Sequence, residues 1–345
     1  MLEPPAVHFH DKQIFMAHGA GGEASRRLVE GLFRPLFSNP ALDALSDAAL
    51  LAVPSGRLAM TVDSFVVQPL KFAGGSIGEL AINGTVNDLA VSGARPVAIA
   101  AAFILEAGLP SEVLRREVEA MAAAARRAGV DVVTGDTKVV EHGKGDGMYI
   151  STTGVGIVDA RADLAISRVA TGDRVLLSGP IGNHGMAIML ARAELEIEAD
   201  ILSDTRPLVE LIDRLLARAG TGVKWMRDAT RGGVATVLNE LAREANVAVT
   251  IEEEAVPLDD DVRGACELLG VDPLHVANEG QFVAVVAAEA ADAALDALRR
   301  TPGGERACIL GEITAAPMAR VLARSSFGGV RVVDMLIGDP LPRIC

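Results

Sequence analysis

Pro96-Val97-Ala98-Ile99-Ala100-Ala101-Ala102-Phe103-Ile104-Leu105 is a nearly continuous apolar run, which predicts a strand buried on both faces. Ser111 is placed to cap a long helix ending near Gly129, with Val113, Leu114, Val118 and Met121 marking its register. Val130-Asp131-Val132-Val133 gives the next strand, which ends in Thr134-Gly135-Asp136-Thr137-Lys138. Half of the chain is hydrophobic while aromatics make up only 3%, a composition that suits helices packed closely on sheets, as in an α/β protein.

Toward the N-terminus, Leu58–Val62 reads as a strand closing on Asp63, and Gly74-Gly75 leads into a helix from Ile77 to about Ser92. Asn83-Gly84-Thr85-Val86-Asn87-Asp88 lies within that helix. Four poor helix formers so close together predict a polar face turned toward something other than solvent. Residues 1–17 read as a loose lead, followed by the glycine-rich His18–Gly22 and a helix from Glu23 to Phe37. Toward the C-terminus, Met148–Val158 is a strand, and a domain boundary is expected between 158 and 172. Beyond it come a strand at Arg174–Ser178, helices near 185–194 and 207–219, and Asp228-Ala229-Thr230-Arg231-Gly232-Gly233 opening a helix to about Ala245. Val247–Ile251 and Gln281–Ala287 read as strands. A helix near 290–300 and short strands near 309–314, 319–323 and 330–335 follow.

With 345 residues and a formal net charge of -14, the chain is long enough for two domains and too acidic for sequence-independent nucleic-acid or anionic-membrane binding. Cys266 and Cys308 stand in apolar contexts and read as small core residues. Three cysteines without metal-ligand spacing, no signal-peptide start and no uninterrupted apolar run of spanning length predict a cytoplasmic protein.

Asp47, Asp63, Asp88, Asp136 and Asp228 share a setting: each adjoins small residues near an expected element end. Singly, each is a turn or capping residue; together they suit Mg²⁺ coordination beside a nucleotide. The Gly19–Gly22 loop ahead of a helix offers backbone amides to an anion, although no Gly-Lys-Ser/Thr follows. Lys138 and Glu279 read either as solvated loop residues or as an acid/base pair. His18, His142 and His184 lack metal spacing, with His142 at a loop tip, and Trp225 and Tyr149 read as packing residues. The chain ends Leu341-Pro342-Arg343-Ile344-Cys345. This is either a frayed end or a presented thiol, stiffened by Pro342 and biased toward thiolate by Arg343.

Taken in order, Ala17-His18-Gly19-Ala20-Gly21-Gly22, Thr61-Val62-Asp63-Ser64, Gly84-Thr85-Val86-Asn87-Asp88, Thr134–Lys138, Arg227–Gly233, Ala277-Asn278-Glu279-Gly280 and the Pro342–Cys345 end closely resemble the HypE family of hydrogenase maturation proteins. That family belongs to the superfamily of aminoimidazole ribonucleotide synthetase, selenophosphate synthetase and thiamine-monophosphate kinase. The resemblance runs from about Ala17 to Cys345. It implies an α+β fold of two domains, the N-terminal domains pairing into a barrel across a homodimer. The implied organisation is a lead, loop and helix over 1–40, an ATP-binding and dimerisation domain over 41–160, a C-terminal domain over 170–325 and a reactive tail over 326–345.

Matched by motif, the resemblance implies Asp47, Asp63, Asp88 and Asp228 as Mg²⁺–ATP ligands, although Ser46 stands where relatives often carry glycine. It places Gly19, Gly21, Gly22, Asn87, Asp136 and Thr137 at the nucleotide, Cys345 as acceptor thiol, and Glu279 and Lys138 at proton removal. The implied activity is ATP-dependent dehydration of an S-carbamoyl group on Cys345 to a thiocyanate, the source of a cyanide ligand for iron. Implied partners are the carbamoyltransferase HypF and the HypC–HypD complex. Two other readings stay open: a small-molecule kinase or cyclase of the superfamily, for which a terminal thiol would be superfluous, and a carrier that only shuttles a group on Cys345, for which the carboxylate-rich loops would be.

Overall fold

The computed structural model describes residues 8–20, 23–43, 49, 51, 56–192, 200–336 and 343–344. Its first half runs α1 (Glu23–Leu28), a π turn (Val29–Phe33), α2 (Arg34–Phe37), α3 (Pro40–Asp43), β1 (Leu58–Phe65), β2 (Lys71–Phe72), β3 (Gly75–Ser76), α4 (Ile77–Val91), β4 (Ala94–Glu106), α5 (Ser111–Ala128), β5 (Asp131–Val140) and β6 (Met148–Val158). The second half runs β7 (Arg174–Leu177), α6 (Asn183–Ala191), α7 (Val209–Ala219), β8 (Val223–Asp228), α8 (Gly233–Glu244), β9 (Ala248–Glu252), α9 (Asp260–Leu269), β10 (Phe282–Val286), α10 (Ala291–Arg299), β11 (Cys308–Thr314), β12 (Arg320–Arg324) and β13 (Val330–Val332).

The first sheet has the order β1-β6-β4-β5 and the second β13-β12-β9-β11-β7-β10-β8. Each is antiparallel except for one parallel pair, β4 with β5 and β12 with β9. This mixture makes the fold α+β, with α5 supplying the crossover that a parallel pair requires. The domains are therefore not the α/β type suggested by composition.

The apolar run does form β4, but burial alternates along it. One face packs on helices, where Ile99, Phe103 and Leu105 are buried. The other is open: Ile104 is exposed, as are Leu58, Met60 (70% exposed) and Val62 on β1. A run apolar at every position thus hides a two-sided strand whose second face has no cover among the described residues.

Other expectations are also adjusted. Ser111 is the first helical residue after Pro110 and makes no capping bond. Asp63 lies inside β1 and Thr134–Lys138 inside β5, because both strands outrun their apolar cores. Within the supposed loose lead, Phe9 and Ile14 are buried, and Ile14 exchanges backbone hydrogen bonds with Leu109 and Gly108. β8 and α9 were not anticipated.

The halves are stitched by residues 203–208. The buried Asn87 side chain donates to the carbonyls of Arg206 (3.0 Å) and Glu279 (3.1 Å) and accepts from the Leu208 amide (2.8 Å). Arg206 in turn donates to the carbonyls of Gly280 and Gly303. No helix among the described residues is long and apolar enough to cross a membrane.

Candidate active site

Four carboxyls from distant parts of the sequence line one cavity of 330 Å³: Asp63 on β1, Asp88 on α4, Asp228 at the end of β8 and Glu279 just before β10. The sheet explains the meeting of the last two, since Asp228 pairs with Phe282 at the start of β10. After β8 the chain turns sharply into α8 through Gly232 and Gly233, with φ of 71° and 61°. A Cβ on Gly233 would stand 2.5 Å from the Leu274 carbonyl, so the turn requires glycine.

Among the described residues no ion pair is seen to hold these four carboxyls, and burial dominates their titration. Burial, reinforced by the Asp88 charge, raises Asp63 to about 6. Burial and then Asp88 raise Asp228 to about 7. Asp88 is raised by burial, and Glu279, 3% exposed, lies well above the ordinary range through burial and the charges of Asp228, Asp204 and Asp63. Thr85 donates to Asp63 (3.1 Å) and Thr61 to Asp88 (2.6 Å), which fixes the oxygens without neutralising them. The Arg231 charge lowers both Asp63 and Glu279, as a smaller influence than burial.

Such a set of hard oxygen donors suits Mg²⁺. Among the described residues no three His, Cys, Asp or Glu side chains form a closed metal cage. Mg²⁺ bound here would take one or two of the carboxylates and complete its shell with water and substrate phosphate.

Gly19, Asp136, Thr137 and Lys138 line a different cavity, of 280 Å³, whose floor includes Phe33, Phe37 and Phe103. Asp136 accepts from the Thr137 amide (2.8 Å) and Lys138 Nζ (3.2 Å), and the lysine holds it below the usual carboxylate range. Lys138 and Asp136 are both largely exposed. A line straight across the first sheet joins Asp63 to Thr152, Thr152 to Ala101 and Ala101 to Gly135. Asp63 and Asp136 therefore stand at opposite edges, three strand spacings or about 14 Å apart. Within one chain, Glu279 and Lys138 line separate cavities.

Residues 45–158 match the N-terminal domain of the AIR synthase related proteins, and residues 170–323 match their C-terminal domain. The carbamoyl dehydratase HypE of Azotobacter vinelandii is 51% identical over 332 residues, covering 96% of this chain and 97% of its own. A crystal structure of the hydrogenase maturation protein HypE in complex with ATP superposes with a TM-score of 0.92 at 43% identity, covering 96% of this chain and 99% of that one. The chain belongs to the HypE family. A crystal structure of a HypE–HypF complex also matches, with a TM-score of 0.79 at 45% identity over 90% of this chain and 99% of that one.

Against the HypE motifs, the structure gathers Asp63, Asp88, Asp228 and Glu279 in one cavity and Gly19, Asp136, Thr137 and Lys138 in another. Asn87 lines neither: its amide donates to the Arg206 and Glu279 carbonyls and accepts from the Leu208 amide, so it ties the two halves together. Gly21, Gly22, Asp47 and Cys345 lie outside the described residues. Arg343, expected to act on the thiol, pairs with Asp146. Sequence reasoning missed Thr61, Thr85, Asp204 and Arg206. Asp204, whose carboxylate accepts the amides of Glu279 and Gly280 (both 3.1 Å), positions the Glu279 loop. Its only signal was a charged pair beside Pro207.

Proposed function

We propose that this chain is an ATP-dependent carbamoyl dehydratase that turns an S-carbamoyl group on its own Cys345 into a thiocyanate, the donor of a cyanide ligand for the iron of nickel–iron hydrogenase. The observation that carries the reading is the cavity of Asp63, Asp88, Asp228 and Glu279, a concentration of buried carboxyls in a chain of the HypE family. Hydroxide leaves an amide carbon poorly and phosphate leaves well. Bound ATP supplies the phosphoryl group, so that the carbamoyl oxygen departs as phosphate, ADP is released, two protons leave nitrogen and a C≡N bond remains on sulfur. Asp63, Asp88 and Asp228, with Asp47, would hold Mg²⁺, which offsets phosphate charge. Glu279, a stronger base than an ordinary carboxylate because of its burial, is placed to take a proton from the carbamoyl nitrogen.

The open apolar face of the first sheet fits a homodimer in which two such sheets close a barrel. Asp136 and Lys138 lie in register with Ala102 and Ile104 on that face. A second copy would then bring its β5 edge, with Lys138 and Thr137, toward the carboxylate cavity. HypF would load Cys345, and the HypC–HypD complex would receive the cyano group, all in the cytoplasm. The domain boundary falls between β6 and β7.

Intact mass of the C-terminal peptide tests the reading after incubation with HypF, carbamoyl phosphate, ATP and Mg²⁺. A carbamoyl gain on Cys345, followed by loss of one water only with Mg²⁺ and ATP, is expected. Stable carbamoylation without water loss would make the chain a carrier, and an untouched Cys345 beside a phosphorylated small molecule would make it a kinase.

A further inference from the structure

Residues 343 and 344 are docked against the body. Ile344 is 4% exposed and belongs to the apolar cluster that includes Phe72, Met186 and Ile188. The Arg343 carbonyl accepts from Arg192 Nη2 (2.8 Å) and from the Gln68 amide (3.3 Å). The Ile344 carbonyl accepts from His184 Nε2 at 2.7 Å. Arg343 sits at φ 58°, in the left-handed region, which turns the chain inward.

His184 is completely buried on α6. Its Nδ1 lies 2.8 Å from Ser203 Oγ, which already accepts from the Thr205 amide. The Ile344 carbonyl can only accept, so Nε2 carries the ring proton and donates to it; in the neutral ring Nδ1 is then the acceptor and takes the Ser203 hydroxyl proton. Burial lowers the imidazole pKa and keeps the ring neutral. The next residue, Asp204, holds the amides of Glu279 and Gly280. One short segment thus fixes both the receptor of the tail and the loop that carries the candidate base.

We infer that His184 is a positioning residue for the terminal cysteine: it receives the tail by the Ile344 carbonyl and ties it to the segment that fixes Glu279. That carbonyl belongs to the peptide through which Cys345 is attached. Arg192 and Gln68 hold the carbonyl before it, and the Ile344 side chain supplies apolar anchorage. All these contacts precede the thiol, so docking does not depend on what the sulfur carries. A loaded tail and an empty one fit the same receptor. The same contacts must break for a partner enzyme to reach the thiol.

This inference rests on the dehydratase reading for its catalytic consequence, but docking can be read without it. His184→Ala, His184→Gln and Ile344→Ala would be compared with the unmodified full-length protein. Three rates would be measured: carbamoyl loading by HypF, single-turnover water loss from the loaded protein, and release of C-terminal residues by carboxypeptidase without nucleotide.

His184→Ala and Ile344→Ala are expected to slow water loss about tenfold, the scale of one buried hydrogen bond or apolar anchor. Loading should not slow, because the contacts that must break for it are weakened, and carboxypeptidase release should quicken. His184→Gln, with an amide nitrogen near the place of Nε2, should restore most of the water loss. Ile344→Ala leaves α6 untouched and keeps the test open if His184→Ala fails to fold. Loading and water loss falling together, or carboxypeptidase release unchanged in the folded variants, would overturn the inference. If the unmodified protein loses no water, the dehydratase reading fails, and carboxypeptidase release alone decides the docking: quicker release upholds it and unchanged release overturns it.

Discussion

The two cavities are built on opposite physical terms. Around Asp63, Asp88, Asp228 and Glu279, carboxyls are buried, mutually repelling and raised in pKa. Around Asp136 and Lys138, the charges are exposed and already paired, with the aspartate lowered. The first is strained in its own chain and gains from a cation. The second is comfortable alone and lies at the far edge of the sheet beside Phe33 and Phe37, with Asp136 and Lys138 in register with the open face. The difference teaches that a list of motif residues is not a site: these residues divide between a buried cavity crowded with carboxyls and an exposed edge whose charges are already paired.

The largest expected effect comes from emptying the first cavity of one ligand. Asp228→Asn should lower the rate of ATP-dependent water loss by about 10³-fold, the scale for a preorganised group that offsets developing charge. It should not lower the melting temperature, because it relieves repulsion. Substantial turnover in that variant would remove the carboxylates from the mechanism.

Next in size is the open face. Met60→Asp places a charge among exposed apolar side chains and should weaken self-association by about 10²-fold, as an unpaired charge in an interface does. Sedimentation would measure it, and an unchanged dimer would mean that the face has another use. Asn87→Ala should then cost about 2 kcal/mol of stability by stranding buried backbone groups at the seam. Urea unfolding reads this, and a loss of nucleotide affinity without loss of stability would return Asn87 to the nucleotide.

The last effect is in pH. Asp63 and Asp228 have pKa values raised from the ordinary carboxylate value to about 6 and about 7 in the folded chain. Their contribution to stability is therefore complete below about pH 4 and is lost as pH rises through 6 to 7. Mg²⁺ needs them ionised, so its affinity should rise about tenfold per unit across that window, levelling above pH 7. Calorimetric titration at pH 5.5 and pH 8 checks this, and equal affinities would contradict it.

Much of this was legible in local pattern. α5 and β6 announce themselves by periodicity and α4 and β10 by continuous runs of small and apolar residues, and the polar residues of α4 mark it as facing something other than solvent. β8 did not, because Lys224 and Arg227 interrupt its pattern; Lys224 is drawn to Asp173 by an ion pair that no local window contains. α9 was hidden by Asp259-Asp260-Asp261, which look like a turn and instead occupy its start. Asp63, Asp88, Asp228 and Glu279 meet in one cavity, yet their division from Asp136 and Lys138 depends on strand order, which spacing does not encode. The His184 contact with the tail spans 160 residues and left no sequence signal.

The most direct test mixes two inactive proteins. Lys138→Ala and Asp228→Asn would be combined, allowed to exchange subunits, and assayed for water loss. If the site joins β5 of one copy to the carboxylate cavity of another, each mixed dimer holds one intact site, and random exchange restores about a quarter of the unmodified activity. If both cavities serve one site within a single chain, every site carries a lesion, and the mixture stays as inactive as its parts.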